Sequence, residues 1–329
     1  MKLLVLNCHE AWIHQLGVLR AELDIVVGLP GRYTRGWDQR MRPLPEGART
    51  VTLDDVRFGG VQYDCVINHN ITDLLDTKFL DAPKLLVLHD MLEGRMAQQD
   101  ADFDAREMRA VLNTYLASVG GHAIAISRSK AKSWGVTHVV VHNSADPEAY
   151  LPYVGDLACG LRVANHVSSK RVFLAWDFHE EALAGLPLRI VGHNPDLAGV
   201  DAADDWDHLK RMLASHRFLV HTADPRFEDG YNMAVLEAMA AGMPILTHRH
   251  PTTIVEHGVT GFVAESPREM RTYAERLLAD EALAHELGAN GRRHIERHFS
   301  PDRFRVELGK AIQEARKKWS RRRGRTIAR

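Results

Sequence analysis

The sequence predicts a two-domain α/β protein in which each domain is built on a doubly wound parallel sheet. Length is the first reason: 329 residues are too many for one ordinary core and suit two. The second is alternation, since short apolar runs of strand length are separated by amphipathic segments of helix length. The third lies at the ends of two runs, Tyr63–His69 and Pro83–Asp90, where a His stands beside a polar residue. Open parallel sheets present ligand-binding groups at such ends.

Composition narrows the class. With 45% hydrophobic and 26% charged residues and a formal net charge of −1, the chain reads as an ordinary globular protein. Nothing in the overall charge draws it to nucleic acid or membrane. Cys8, Cys65 and Cys159 are odd in number and unpatterned, which argues against a disulfide framework and for a reducing cytoplasm. The opening run Met1–Asn7 is too short for a signal-peptide core. No segment approaches the roughly 18 apolar residues of a membrane span. The 19 histidines show no H-E-x-x-H spacing, nor is there a C-x-x-C, and His248-Arg249-His250 sets a cation between two rings. No metal is expected.

In chain order, Lys2–Asn7 reads as a buried strand, followed by a helix over Ile13–Glu22 and a second strand over Asp24–Leu29. Pro30–Gly60, rich in Gly, Pro and Arg, reads as surface connection. Strands are expected over Tyr63–His69, Pro83–Asp90, His122–Ser127 and His138–Asn143, with a helix over Ala105–Val119. The second half continues with strands at Arg171–Ala175, Leu188–Gly192 and Phe218–Thr222 and a helix from Trp206 to Ala214. Helices are also expected over Pro267–Asp280 and Glu281–Phe299. Ser300-Pro301-Asp302 starts a last helix, with an N-cap hydroxyl and Pro at its first position. The tail beyond it carries Lys317, Lys318, Arg321, Arg322, Arg323, Arg325 and Arg329, read either as a solvated end or as an attraction to an anionic membrane surface or polyanionic acceptor.

The most informative stretch is Phe227–Leu246. Gly230 permits a turn, and Met233, Leu236, Glu237 and Ala240 share a helical face. Gly242 and Pro244 end the helix before the apolar run from Ile245. Glu237 stands among Val235, Leu236, Ala238 and Met239, and a carboxylate in such company needs partners. Asp229 lies eight residues earlier, roughly 12 Å along a helix at 1.5 Å per residue. Two acids so placed can hold opposite ends of an elongated polyhydroxyl ligand, with the helix N-terminus between them suited to a diphosphate. Read alone, the same residues also fit a helix cap at Asp229 and an Arg partner for Glu237.

This stretch resembles the E-x7-E signature of the retaining glycosyltransferases of family four, the group 1 glycosyl transferases of the GT-B fold. The family wording Glu-Gly-Phe-Gly followed by Leu-Glu-Ala-Met-Ala-x-Gly-x-Pro is met here by Asp229-Gly230-Tyr231-Asn232 and Leu236–Pro244. Downstream, Glu256-His257-Gly258-Val259-Thr260-Gly261-Phe262-Val263 is similar to a second family stretch. Asn143–Pro152 resembles the family's crossing between domains. The resemblance implies two Rossmann-like domains facing each other across a cleft: residues 1–152 on the acceptor side, 153–300 for the nucleotide-sugar donor, and 301–329 as a returning helix with a basic tail.

It also implies roles. Asp229 stands where the first Glu of the motif contacts sugar hydroxyls, one methylene shorter, and Glu228 is the alternative. Glu237 stands where the second Glu accepts from the ribose. Amides at Gly230, Tyr231, Asn232 and Met233 would face sugar and phosphate. His89 matches a His that faces the donor sugar, Gly192-His193 a turn near the base, and Thr252 and Thr253 candidate phosphate contacts. The family's Lys-Gly is absent, so Arg162 and Lys170 are the candidate clamps for diphosphate, Arg162 foremost because its fork suits phosphate. The usual glycine pair after the first strand is replaced by His9-Glu10-Ala11-Trp12.

The activity implied is transfer of a sugar, with retention, from a nucleoside-diphosphate sugar to a saccharide or lipid-linked acceptor in cell-envelope polysaccharide or glycoconjugate synthesis. No cofactor beyond the donor is expected, and the protein is placed in the cytoplasm or at the inner membrane face. The rival readings are a GT-B epimerase or phosphorylase and a non-catalytic nucleotide-sugar-binding scaffold.

Overall fold

A computed structural model describes residues 1–31, 36–99 and 103–327. The chain divides into two compact units, Met1–Asn143 with Pro301–Arg329, and Ser144–Ser300. The switch of unit thus falls at Ser144, ahead of Pro152.

The first unit runs β1 (Lys2–Leu6), α1 (Glu10–His14), β2 (Glu22–Val26), β3 (Ala48–Val51), α2 (Leu53–Phe58), β4 (Cys65–Asn68) and α3 (Ile71–Asp76). It continues through β5 (Lys84–Leu88), α4 (Leu92–Gln99), α5 (Ala105–Val119), β6 (His122–Ala125) and α6 (Arg128–Trp134). All six strands are parallel, in the order β3-β2-β1-β4-β5-β6. Leu3, Leu4, Val5 and Leu6 are fully buried, as strands covered on both faces must be. Connections run in opposite directions from β1 and β4, which opens a crevice at their carboxyl ends.

The second unit runs β7 (Leu157–Val163), α7 (Trp176–Leu183), β8 (Leu188–Val191), α8 (Trp206–Ser215), β9 (His216–His221) and α9 (Met233–Ala241). β10 (Ile245–His248), β11 (Gly261–Ala264), α10 (Pro267–Ala279) and α11 (Glu281–His298) complete it. Its five parallel strands are ordered β11-β10-β9-β7-β8, so the switch point lies between β7 and β9. Four of its five helix starts carry side-chain caps: Asp205 for α8, Asn232 for α9, Ser266 with Pro267 for α10 and Asp280 for α11. Each satisfies an amide that the first turn leaves without an acceptor.

The chain closes with α12 (Pro301–Ile327), part of the first unit. Phe304, Leu308, Ala311, Ile312 and Ala315 form one buried stripe that packs with Leu3, Val5, Leu85 and Val87. Spacings of three and four produce that stripe, and burying Phe304 and Leu308 contributes about 1.5–3 kcal/mol each. Much of the basic run beyond it is spent inside the unit. Arg316 lies 3.3 Å from Asp64, and Arg322 and Arg323 lie 3.8 and 3.6 Å from Asp81. Lys318 meets the His122 ring at 3.1 Å. Arg329 and the side chain of Arg325 lie outside the described residues. Among the described residues no helix is long and apolar enough to cross a membrane.

Four sequence expectations change. The helix over Ile13–Glu22 is instead α1 with a 3-10 turn, Gln15–Leu19. Pro30–Gly60 holds β3 and α2, the latter started by a reciprocal Thr52–Asp55 capping box. His138–Asn143 contributes only an isolated bridge, Ala125 with Val140. Arg171–Ala175 is not a strand but a series of turns, with Leu174 N donating to Lys170 O at 2.9 Å and Trp176 N to Arg171 O at 3.0 Å. The strand in that part of the chain is β7, and it carries Arg162.

Candidate functional site

The carboxyl edge of the second sheet collects most of the sequence-predicted residues. Asp229 and Gly230 end the loop after β9, and Asn232 starts α9, accepting from Val235 N at 3.1 Å. Asp229 is 1% exposed and Glu237, in the middle of α9, is 6% exposed. Both acids are therefore inside the protein and not on a solvated helix face. Tyr231 and Met233 pack into the core with Val235, Leu236 and Phe299, so a ligand would meet their backbone and not their side chains. The first-turn amides of α9 have no acceptor within the helix, and its dipole adds partial positive charge there.

A second loop holds this one in place. Thr252 Oγ1 accepts from Gly230 N at 2.7 Å and lies 3.0 Å from His250 Nδ1. Thr252 N also donates to His250 Nδ1 at 3.2 Å. Gly230 is packed so closely that a Cβ would lie 2.6 Å from His250 Nδ1 and 2.7 Å from Thr253 N. Thr252 is thus committed to the Asp229 loop, and Thr253 Oγ1 to its own turn through Val255 N at 3.3 Å. A cavity of about 450 Å³ lies beside this loop, lined among others by Arg249, His250, Thr253 and Tyr273.

The histidines of this edge are neutral near pH 7. Burial pushes His221 well below the imidazole range, with Arg162 adding to it. Burial likewise pushes His248 down to about 4 and lowers His250, against the pull of Asp229 on the latter. None of them acts there as a resident cation. His221 Nε2 lies 3.5 Å from Asp229 O, which ties the loop back to β9. Sequence reasoning did not single out His221 or His250, although both sit where parallel strands end.

On the other side of the switch point stand Gly192, His193 and Lys170. A Cβ on Gly192 would meet Ala164 O at 2.2 Å, so the backbones of the loops after β7 and β8 touch there. His193 N donates to Asn165 Oδ1 at 2.8 Å, and its ring lies 5.0 Å from that of His166. Lys170 is half-buried, its N–H bonded to His166 O at 3.0 Å.

Arg162 is placed differently from what a diphosphate clamp requires. It is 1% exposed in β7, with Nη1 donating to Val220 O at 3.3 Å and Thr222 Oγ1 at 3.2 Å. Nη2 donates to Thr222 O at 3.1 Å, and the guanidinium stands 5.9 Å from the Trp176 ring. Burial pushes its pKa down to about 9, and at pH 7 it is still a cation. As placed, it ties β7 to β9 across the switch point and turns no donor to solvent.

His89 belongs to the first unit. It follows β5, and its Nε2 lies 2.8 Å from Nδ1 of His69, which follows β4. Trp12 stands edge-on to both rings, at 4.9 Å from His69 and 5.1 Å from His89. Burial first, then His9, Lys130 and Arg95, hold the His89 pKa well below the usual imidazole range. Both histidines line a cavity of about 200 Å³, together with Asn70, Asp90, Arg95 and Trp134.

The comparison that decides the class covers the Asp229 loop. Residues 179–280 match the family of glycosyl transferases group 1. The match takes in 102 of the 329 residues, all of them within the second unit. The matched segment opens in α7 and closes at the end of α10; it holds Gly192, His193, Asp229, Glu237, Thr252 and Thr253, and leaves out Arg162 and Lys170. The capsular polysaccharide biosynthesis glycosyltransferase CapM of Staphylococcus aureus is 32% identical over 88 residues, 26% of this chain and 23% of CapM. That match thus spans less than a quarter of the relative. Among solved structures, Anabaena Alr3699/HepE in complex with UDP and glucose is similar over 95% of this chain and 99% of its own, with a TM-score of 0.67 and 14% identity. Sucrose-phosphate synthase of Thermosynechococcus elongatus is similar over 95% and 98%, with a TM-score of 0.66 and 12% identity. At such identities the likeness establishes the fold: GT-B, with two Rossmann-like domains.

Proposed function

We propose that the protein is a retaining glycosyltransferase, moving a hexosyl group from a nucleoside-diphosphate sugar to a hydroxyl of a saccharide or lipid-linked acceptor in cell-envelope polysaccharide or glycoconjugate synthesis. The observation that carries this reading is the latched Asp229-Gly230 loop. It runs into the N-terminus of α9 with Glu237 buried about one turn later, all inside the matched segment. In the proposed complex Glu237 accepts from the ribose hydroxyls and Asp229 from the sugar. The amides of Tyr231, Asn232 and Met233 receive the diphosphate, where partial positive charge is worth most.

The reaction breaks the bond from the anomeric carbon to the diphosphate oxygen and forms one to the acceptor oxygen on the same face. The acceptor proton passes to a phosphate oxygen of the leaving group. In this reading the donor is a substrate and the diphosphate is neutralised without a cofactor. HepE is described in complex with UDP-glucose, which puts uridine donors first in any search. For a lipid-linked acceptor, we assign contact with an anionic membrane surface to the basic tail from Lys317, where Arg321 is exposed.

Thermal unfolding across UDP, GDP, ADP, CMP, dTDP and their common sugars tests the reading. One nucleotide at 100 times its dissociation constant is expected to add roughly 2.7 kcal/mol of apparent stability, a shift of several degrees. No shift with any of them at millimolar concentration would count against a donor site in the second unit.

A further inference from the structure

We propose that Cys8, His69 and His89 form a binding site for one zinc-class divalent cation on the first unit. The three residues follow β1, β4 and β5 and so converge at the carboxyl ends flanking that sheet's switch point. One ligand atom from each lies within 4.8 Å of the others. The two imidazoles face one another, His69 Nδ1 to His89 Nε2, at 2.8 Å. A tetrahedral ion with bonds of about 2.0–2.1 Å to nitrogen and about 2.3 Å to sulfur needs those nitrogens roughly 3.3 Å apart. A shift of about half an ångström at either ring nitrogen opens that gap, and the Cys8 thiol, within 4.8 Å of both, swings in to roughly 3.6 Å.

The donor set selects the ion. One thiolate and two imidazoles suit zinc and not the hard cations that prefer carboxylate and water. The surroundings hold the ligands in place: Asp73 Oδ2 accepts from His69 N at 2.8 Å, and Trp12 braces both rings from one side. The cavity of about 200 Å³ bounded by His69 and His89 gives the ion a way in. It also leaves a fourth position for water or a hydroxyl oxygen, as sites with three protein ligands do.

Binding is balanced as follows. Each imidazole keeps its proton on the nitrogen turned away from the ion, and the Cys8 thiol gives up its own, so one proton is released per ion. The thiolate is the only ligand of the three that brings negative charge, and the site depends on it. All three ligands belong to the first unit, so the site is tested apart from the glycosyltransferase reading.

The test uses the whole protein, stripped with chelator and titrated with Co²⁺ and then Zn²⁺. We expect visible Co²⁺ bands and a near-ultraviolet thiolate charge-transfer band that saturate at one equivalent and vanish on adding Zn²⁺. In Cys8→Ser the charge-transfer band should disappear and Zn²⁺ affinity fall roughly 100-fold or more. Cys159→Ser, in the other unit, should titrate as the parent does. His89→Gln, confirmed folded by circular dichroism, should also lose the bands. A spectrum no different from free Co²⁺, or a charge-transfer band that survives Cys8→Ser, overturns the proposal.

Discussion

Glu237→Gln is expected to lower affinity for the donor nucleotide by roughly 10- to 100-fold, with a melting temperature within a few degrees of the parent. The neighbours of Glu237 on α9, Val235, Leu236, Ala238 and Met239, are fully buried. A carboxylate held among them repays its burial only through strong hydrogen bonds. Gln keeps the shape and one acceptor but turns an NH₂ toward hydroxyls that must donate. A hydrogen bond to a charged group is worth about 1.5–3 kcal/mol, and losing it gives the stated range. Isothermal titration of parent and variant with the nucleotide found by thermal shift measures it. Unchanged affinity in a folded variant would remove Glu237 from the donor site.

Gly230→Ala is expected to cost turnover roughly 100-fold and stability about 1–3 kcal/mol. The added methyl would sit 2.6 Å from His250 Nδ1 and 2.7 Å from Thr253 N. One obstacle is backbone and the other a ring held by Thr252, so neither yields as a flexible side-chain end does. The Asp229 loop must move off the 250–253 turn, breaking the 2.7 Å bond from Gly230 N to Thr252 Oγ1. Overpacking of this kind costs about 1–3 kcal/mol, and misplacing a substrate-positioning group by an ångström can cost about 100-fold in rate. Gly309→Ala is the control, since nothing lies within 4 Å of its Cβ position on α12. Steady-state rates and denaturant unfolding of both variants measure the difference; a Gly230→Ala enzyme with the parent's rate would show that the latch positions nothing.

What could be read from the sequence follows from how local each signal is. The helix after Asp229 was legible because Gly242 and Pro244 end it within a few residues, Gly242 with a positive φ. The buried strands Lys2–Leu6 and Lys84–Leu88 were legible because both faces are covered, which leaves unbroken apolar runs. β7 was not, since Leu157 and Ala158 are exposed and Arg162 interrupts its buried end. Its Arg carries charge for a reason only the folded sheet supplies, namely the carbonyls of Val220 and Thr222. Arg171–Ala175 has the composition of a strand, but its amides are used in turns. The meeting of Cys8, His69 and His89 depends on strand order, which no spacing in the chain encodes. Thr252 was read as a ligand contact; its hold on Gly230 through His250 and its own hydroxyl is likewise a product of tertiary structure.

The central claim is that the protein transfers a sugar with retention from a nucleoside-diphosphate donor. Proton NMR of a reaction with the matched α-configured nucleotide sugar and a saccharide or lipid-linked acceptor tests it most directly. The anomeric coupling of the product reports configuration, and the released nucleotide reports stoichiometry. One nucleoside diphosphate per α-glycosidic bond formed, abolished without acceptor, is the predicted result. A β-configured product, or a nucleotide sugar converted without any acceptor, would contradict the account.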